Sequence, residues 1–256
     1  GVQRVNDENG FIRAFDWTKK FLAKPELVRR GGSYSQLILI ETFISGSEVA
    51  VEALLSNGKL STLAIFDKPD PLEGPYFEET IYVTPSRWDE HTVSLIEAVT
   101  LKAAEALGLK HGPVHAEIRL GSEGPCVIEI AGRSVGGLCS RTLRFGLGLS
   151  LEEIILQHAL GRAVDSITLE SEASGVMMIP TPRAGVLKKV SGVVEAKSVS
   201  YIEDVTISAY IGEKLIPIPE GSRYLGFIFA RAHIPELVES AIRKAHRKLM
   251  FTIESQ

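Results

Sequence analysis

Val114–Gly124 reads VHAEIRLGSEG and Val127–Gly137 reads VIEIAGRSVGG. Each places an acid in the middle of an apolar strand, and the second strand gives way to an arginine and a glycine pair. Side chains alternate between the two faces of a strand. On the first, His115, Glu117 and Arg119 share one face while Ala116, Ile118 and Leu120 take the other; on the second, Val127, Glu129 and Ala131 oppose Ile128 and Ile130. With Ser122-Glu123-Gly124 as a three-residue hairpin loop and Gly124 left-handed, Glu117 lies directly across from Glu129, Cα atoms about 4.5–5.5 Å apart. A four-residue loop would put the two acids on opposite faces.

Like charges directly opposite each other destabilise a sheet. A raised pKa on one acid relieves them, and so does a divalent cation held between them. A solvated face with both acids turned to water is the third reading. Hard oxygen ligands suit magnesium, which takes one or two carboxylates together with substrate phosphates. Arg133, four residues past Glu129, would neutralise a phosphoryl group. Gly136 and Gly137 let backbone N–H groups approach a ligand closely. Taken alone, the last three residues also fit a surface arginine and an ordinary glycine turn.

The bulk properties are those of a globular protein: 45% of the 256 residues are hydrophobic and 23% charged. A net charge of −4 argues against a general nucleic-acid binder. No apolar run approaches the roughly 20 residues that span a bilayer. Cys126 and Cys139 have no metal-ligand spacing and read as reduced, buried thiols. The opening GVQRVNDENGF has no signal-peptide pattern and no initiator methionine, so a fragment or processed chain is the expectation.

Along the chain, Glu8–Lys24 carries Phe11, Phe15 and Leu22 at helical spacing, closed by Pro25, and Arg29–Ser33 reads as a loop. QLILIETFI (Gln36–Ile44) predicts a buried strand. SEVAVEALL alternates, with Glu48 and Glu52 opposite Val49, Val51, Ala53 and Leu55, and Asn57-Gly58 signals a hairpin turn. EETIYVT is a further strand. Ser86 with Asp89 predicts the start of a helix whose apolar stripe is Val93, Ile96, Val99, Ala103 and Leu107, stopped by Gly108. Ser150 with Glu153 predicts a second capping box. From about Ser171 strand-like runs follow, then an amphipathic helix from Pro235, which places a boundary between about 162 and 174.

With these residues in view, the chain resembles the ATP-grasp superfamily, and within it the L-amino acid ligases, over nearly its whole length. The resemblance implies that Glu117 and Glu129 bind magnesium, with manganese as a substitute, bridging the phosphates of ATP. It implies that Arg133, with the amides at Gly136 and Gly137, meets the transferred phosphate and the tetrahedral intermediate. LIETFISGSEVAVE is similar to the family's adenine hinge, so Glu41 and the backbone around Phe43 and Ile44 would meet adenine and Glu48 the ribose hydroxyls. GPYFEETIYVTPS resembles the ligase substrate segment, implying Glu79, with Tyr82 where the family often has His. Ala131 stands where many members carry an Asn metal ligand. Residues 174–249 are similar to the small C-terminal domain of these ligases, where Arg183, Lys188 and Lys189 read as a solvated face.

The expected fold is therefore α+β: the C-terminal lobe of an ATP-grasp domain, an antiparallel sheet with helices over residues 1–168, followed by a small α/β C-terminal domain over 169–256. The implied activity is an ATP-dependent carboxylate–amine ligation through an acyl phosphate. Its partners would be small-molecule acids and amines of the amino-acid class and a second copy in a homodimer, in the cytoplasm, with neither nucleic acid nor membrane. The alternatives are a formate-using phosphoribosylglycinamide transformylase, a carbamoyl-phosphate-synthase-like ligase, or a truncated non-catalytic nucleotide-binding module. By the same resemblance a further domain and a phosphate-gripping lysine would lie upstream of GVQRV, and catalysis would need them.

Overall fold

The computed structural model describes residues 1–146, 148–164 and 167–255. Its helices are α1 Glu8–Leu22, α2 Pro25–Gly31, α3 Glu90–Ala106, α4 Leu151–Ala159, α5 Val193–Lys197 and α6 Pro235–His246. Its strands are β1 Ser47–Ser56, β2 Lys59–Lys68, β3 Ile81–Thr84, β4 Gly112–Gly121, β5 Gly124–Ala131, β6 Ala173–Ile179, β7 Gly185–Ser191, β8 Ile202–Ile207, β9 Lys214–Leu215, β10 Gly226–Ala232 and β11 Met250–Glu254. Among the described residues they form an eight-stranded sheet, ordered β5-β4-β1-β2-β3-β6-β10-β8, and a three-stranded one, β11-β7-β9. All the pairings are antiparallel, so the fold is α+β as expected. Strands from both sides of residue 168 share the larger sheet, because β3 pairs with β6 from Ile81–Met177 to Thr84–Ser174.

Three apolar clusters hold the sheet. On one face Val49, Val51, Ala53, Leu55, Ile65, Ala116 and Ile118 pack with Ile96 and Ala104 of α3. Each valine, leucine or isoleucine among them, fully removed from water, contributes about 1.5–3 kcal/mol. On the other face Ala50, Leu54, Ala64, Phe66, Tyr82 and Val176 pack under Leu143, Phe145, Leu151 and Ile154. The third cluster wraps α6 with β6, β10 and the smaller sheet. Close packing there needs Gly175: a Cβ would lie 2.7 Å from Val238 Cγ1 and 2.8 Å from the Tyr82 carbonyl oxygen.

Local signals were kept in part. Asn57 and Gly58, at φ 52° and 85°, make the turn between β1 and β2. Ser150 and Glu153 form a complete capping box on α4. Ser150→Ala is expected to lower the unfolding free energy by about 1 kcal/mol in a urea titration, because an orphan N–H loses its acceptor. At the first helix, Pro25 closes nothing; it opens α2 at N1, and Arg29–Gly31 continue that helix. The N-cap of α3 is Asp89, not Ser86, whose hydroxyl instead donates to Asp67. Leu107, expected on the α3 stripe, is 61% exposed, since the helix already ends at Ala106.

The largest departure is residues 37–45. They belong to no strand or helix, and Leu37, Leu39 and Ile40 are 68%, 79% and 62% exposed. An apolar run becomes a strand only where a neighbour completes its backbone hydrogen bonds. Among the described residues no strand pairs with it. No described helix is long and apolar enough to cross a membrane.

Candidate active site

The period of a strand puts Glu48, Ala50 and Glu52 on one face of β1. Antiparallel pairing then aligns Glu48 with Arg119, Ala50 with Glu117 and Glu52 with His115 on β4, and Glu48 with Lys68 at the end of β2. A belt of charged groups results, set at one end of an otherwise apolar layer. It is not a solvated face: Glu48, Glu52, Lys68, His115 and Arg119 are all at most 7% exposed.

Lys68 is the centre. Its ammonium lies 2.6 Å from Glu48 Oε1, 2.6 Å from Glu79 Oε1 and 3.0 Å from Glu117 Oε1. One carboxylate oxygen from each of these three acids lies within 4.8 Å of the others. Arg119 Nε donates to Glu48 Oε2 at 2.6 Å, so both oxygens of Glu48 are engaged. Tyr82, expected to face a substrate, is 2% exposed; its hydroxyl donates to Glu79 Oε1 at 2.8 Å and its ring packs on Phe66. Glu79 itself keeps 30% of its side chain in solvent, so of this pair it is the acid that a small molecule can reach.

Burial alone would lower the Lys68 pKa, but the charges of Glu79, Glu117 and Glu48 outweigh it and raise it. Burial likewise works against the charge on Glu117, yet the His115 ring 3.6 Å away and the nearby Lys68 hold that carboxyl well below the usual range. Burial pushes Glu79 up, with Lys68 pulling the other way. Tyr82 is pushed up by burial and by both acids, so the phenol stays protonated and donates. Beside the cluster, His115 Nδ1 donates to Glu52, and the nearby Glu117 carboxylate together with that bond overcomes burial to raise His115 to about 9. Cys139 is buried, its thiol pushed up to about 12 by burial; Cys126, expected to be buried, is partly exposed.

Counting Lys68 and Arg119 against Glu48, Glu79 and Glu117 leaves one uncompensated negative charge. Its donors are carboxylate oxygens, the chemistry of a magnesium site. Glu117 and Glu129 do pair directly across the β4–β5 ladder. Their side chains differ, however: Glu117 is 16% exposed and joins the cluster, whereas Glu129 is 57% exposed and faces Arg133 Nη2 at 3.5 Å. The register comes from a two-residue loop, Ser122-Glu123, corrected by a bulge at Ile128, and not from the three-residue loop expected. The bulge also changes the face: Val127 joins Ile130 against the α3-side core.

Arg133, 54% exposed, lies at the rim, where its guanidinium donates to the Ser134 carbonyl at 2.9 Å. After it the loop turns inward: the Val135 N–H donates to Glu52 Oε2 at 3.0 Å, a Cβ on Gly136 would meet nothing within 4 Å, and Gly137 sits at φ 64°. On the opposite side, Phe43 stacks with Phe77 at 6.3 Å, capped by the Arg4 guanidinium at 3.7 Å from the ring centre. Arg119 ties this segment down by donating to the Ile44 carbonyl at 3.1 Å, while Glu41 stays exposed. Residues 67–80, which carry Lys68 and Glu79, are anchored from the C-terminal third: Arg243 reaches Asp70 at 2.5 Å and Glu239 reaches Arg87, which holds Asp67 at 2.9 Å.

Sequence reasoning assigned no role to Lys68, Arg119, His115 or Glu52. The signal was present for the last three, which sit on the same strand faces as Glu117 and Glu48; Lys68 was hidden by register.

The ATP-grasp domain pattern matches residues 1–142, more than half the chain, and the pattern of the L-amino acid ligase C-terminal domain 2 matches 177–254. The chain is 30% identical to the alanine–anticapsin ligase of Bacillus subtilis over 157 residues, 60% of this chain and 32% of that protein. It is 26% identical to carnosine synthase 1 of Gallus gallus over 170 residues, 63% of this chain and 18% of that one. It thus spans about a third or less of these curated relatives. The crystal structure of an L-amino acid ligase from Bacillus licheniformis superimposes with a TM-score of 0.85 at 28% identity, covering 100% of this chain and 63% of that one. The chain belongs to the ATP-grasp family, and its last third carries the C-terminal domain of the L-amino acid ligases.

Proposed function

We propose that the protein containing this chain is an ATP-dependent carboxylate–amine ligase acting on amino acids. The carboxylate of one substrate takes the terminal phosphoryl group of ATP, the amine of the other displaces it as phosphate, and an amide remains. The observation that carries the reading is the buried cluster of Glu48, Glu79 and Glu117 around Lys68, lying between the Phe43 segment and the Arg133 loop. In this reading Glu117 and Glu129 hold magnesium, which when bound neutralises charge on the phosphates. Lys68 presents its ammonium to an anionic group, and Glu79 meets the amine of an amino acid. Arg133 and the Gly136–Gly137 amides stabilise the phosphoryl and tetrahedral species. Glu41, Phe43 and Ile44 form the adenine side; Glu48 would reach a ribose only by giving up Lys68 or Arg119. No residue forms a covalent intermediate, so the chain acts by positioning and electrostatics.

Calorimetry of magnesium-dependent ATP binding tests this. Wild type is expected to bind, and Glu117→Gln to bind at least about tenfold more weakly, which is about 1.4 kcal/mol. Amino-acid-dependent phosphate release then reads the reaction. Magnesium-independent binding, or equal binding by both proteins, would sink the assignment of the metal to Glu117.

A further inference from the structure

One buried pair has no part in that chemistry. Glu52 and His115, 1% and 4% exposed, lie directly opposite each other on β1 and β4, and the His115 ring donates to the Glu52 carboxylate. Taking two charges out of water costs several kcal/mol per ion, and apolar residues of similar volume are commonly as good or better for stability. The neighbourhood would accept them, for Ala50, Leu54 and Ala64 fill the same layer. Stability is therefore a poor reason for an ion pair here, and the outer atoms of the pair supply a better one. Glu52 Oε2 accepts the Val135 N–H, inside the loop that runs from Arg133 to Gly137. His115 Nε2 lies 3.6 Å from Glu117 Oε1. One bridge thus has the 132–138 loop at one end and the acid cluster at the other.

We propose that Glu52 and His115 are positioning residues that set the 132–138 loop and the Glu117 carboxylate in one fixed relation. Fixing the Val135 N–H fixes the peptide plane between Arg133 and Gly136, and with it the direction in which Arg133 leaves the strand and the next two N–H groups point. Fixing Glu117 from the His115 side leaves its carboxylate turned toward Lys68. Neither residue touches a reacting atom. The role rests on the nucleotide reading above, but the geometric half of it, the tethered loop, stands by itself.

The decisive variant is the apolar replacement of the whole pair, Glu52→Leu with His115→Leu, in the full chain. It is expected to fold with a urea midpoint near or above that of wild type. Amide hydrogen exchange of the 132–138 segment should rise about tenfold or more, with the β6 and β10 segments unchanged, and magnesium–ADP affinity should fall about tenfold. The single variant Glu52→Gln keeps an acceptor for Val135, and its loop should exchange as slowly as in wild type. His115→Gln should keep the loop protected while weakening magnesium–ADP binding, a split that a purely structural pair would not produce. Wild-type exchange in the loop of the double variant, or an equal rise in every segment, would overturn the proposal. If wild type binds no magnesium–ADP, the nucleotide reading alone fails, and loop exchange still decides whether the pair tethers the loop.

Discussion

Lys68→Met is expected to lower the unfolding free energy by about 3–5 kcal/mol, the usual effect of removing one partner from a buried ionic cluster. The change leaves Glu48, Glu79 and Glu117 within 4.8 Å of one another with the central cation gone. Lys68 is 3% exposed at its side chain and Glu48 6%, so water screens little of the repulsion. Two controls separate this from lost packing. Magnesium should restore part of the loss, since a ligand present at a hundredfold its Kd stabilises by about 2.7 kcal/mol. The deficit should also shrink toward acid pH, where the carboxyls take up protons in place of the lysine charge. Urea midpoints with and without magnesium, at two pH values, make the measurement. A midpoint that ignores both would show that the three acids are not charged together.

Stability should fall as pH rises from about 6.5 to about 9, and His115 is the reason. Its folded pKa is raised to about 9 from an ordinary 6.5, so its contribution is fully present below 6.5 and is lost as pH climbs through 9. The interval corresponds to about 3 kcal/mol. Lys68 and Glu117, also shifted, act outside this window. Lys68 is raised from an already high value, so its contribution persists above 9. Glu117 is depressed, so its contribution fades only as pH falls far into the acid range. Unfolding titrations across pH 6–9 should show the slope in wild type and a flatter line in His115→Gln. An equal slope in both would assign the titration elsewhere.

Much of the central sheet was legible because its signals are local. The Asn57-Gly58 turn, the alternation of SEVAVEALL and the Ser150 capping box each depend on a few adjacent residues. The Glu117–Glu129 pairing was also legible, although by a different route from the one expected. Lys68 was not, for a geometric reason. Counting back from the Asn57-Gly58 turn puts Asp67, not Lys68, opposite Glu48; the β1–β2 register shift near Glu52 leaves Leu63 as an extra residue and moves Lys68 into place. A period-two pattern cannot reveal such a phase change, because a bulge reverses the facing of every residue beyond it. Residues 37–45 misled for the opposite reason: their apolar pattern is strong, but burial depends on a partner that composition does not report. The extension of the larger sheet into β6, β10 and β8 was likewise beyond local signals, since pairing across residue 168 is set by packing around α6.

The two bulges, at Leu63 and Ile128, also divide each hairpin into a distal and a proximal half that keep separate registers. The distal half can be redesigned without rephasing the proximal one. Ser122-Glu123 is the more usable tip, being exposed, whereas Gly58 donates its N–H to the Lys110 carbonyl. Five residues of strand, about 17 Å, separate Ser122 from Glu117. A fluorophore or a spin label grafted at that tip would therefore report on the chain from beside its site while leaving the site's own geometry alone.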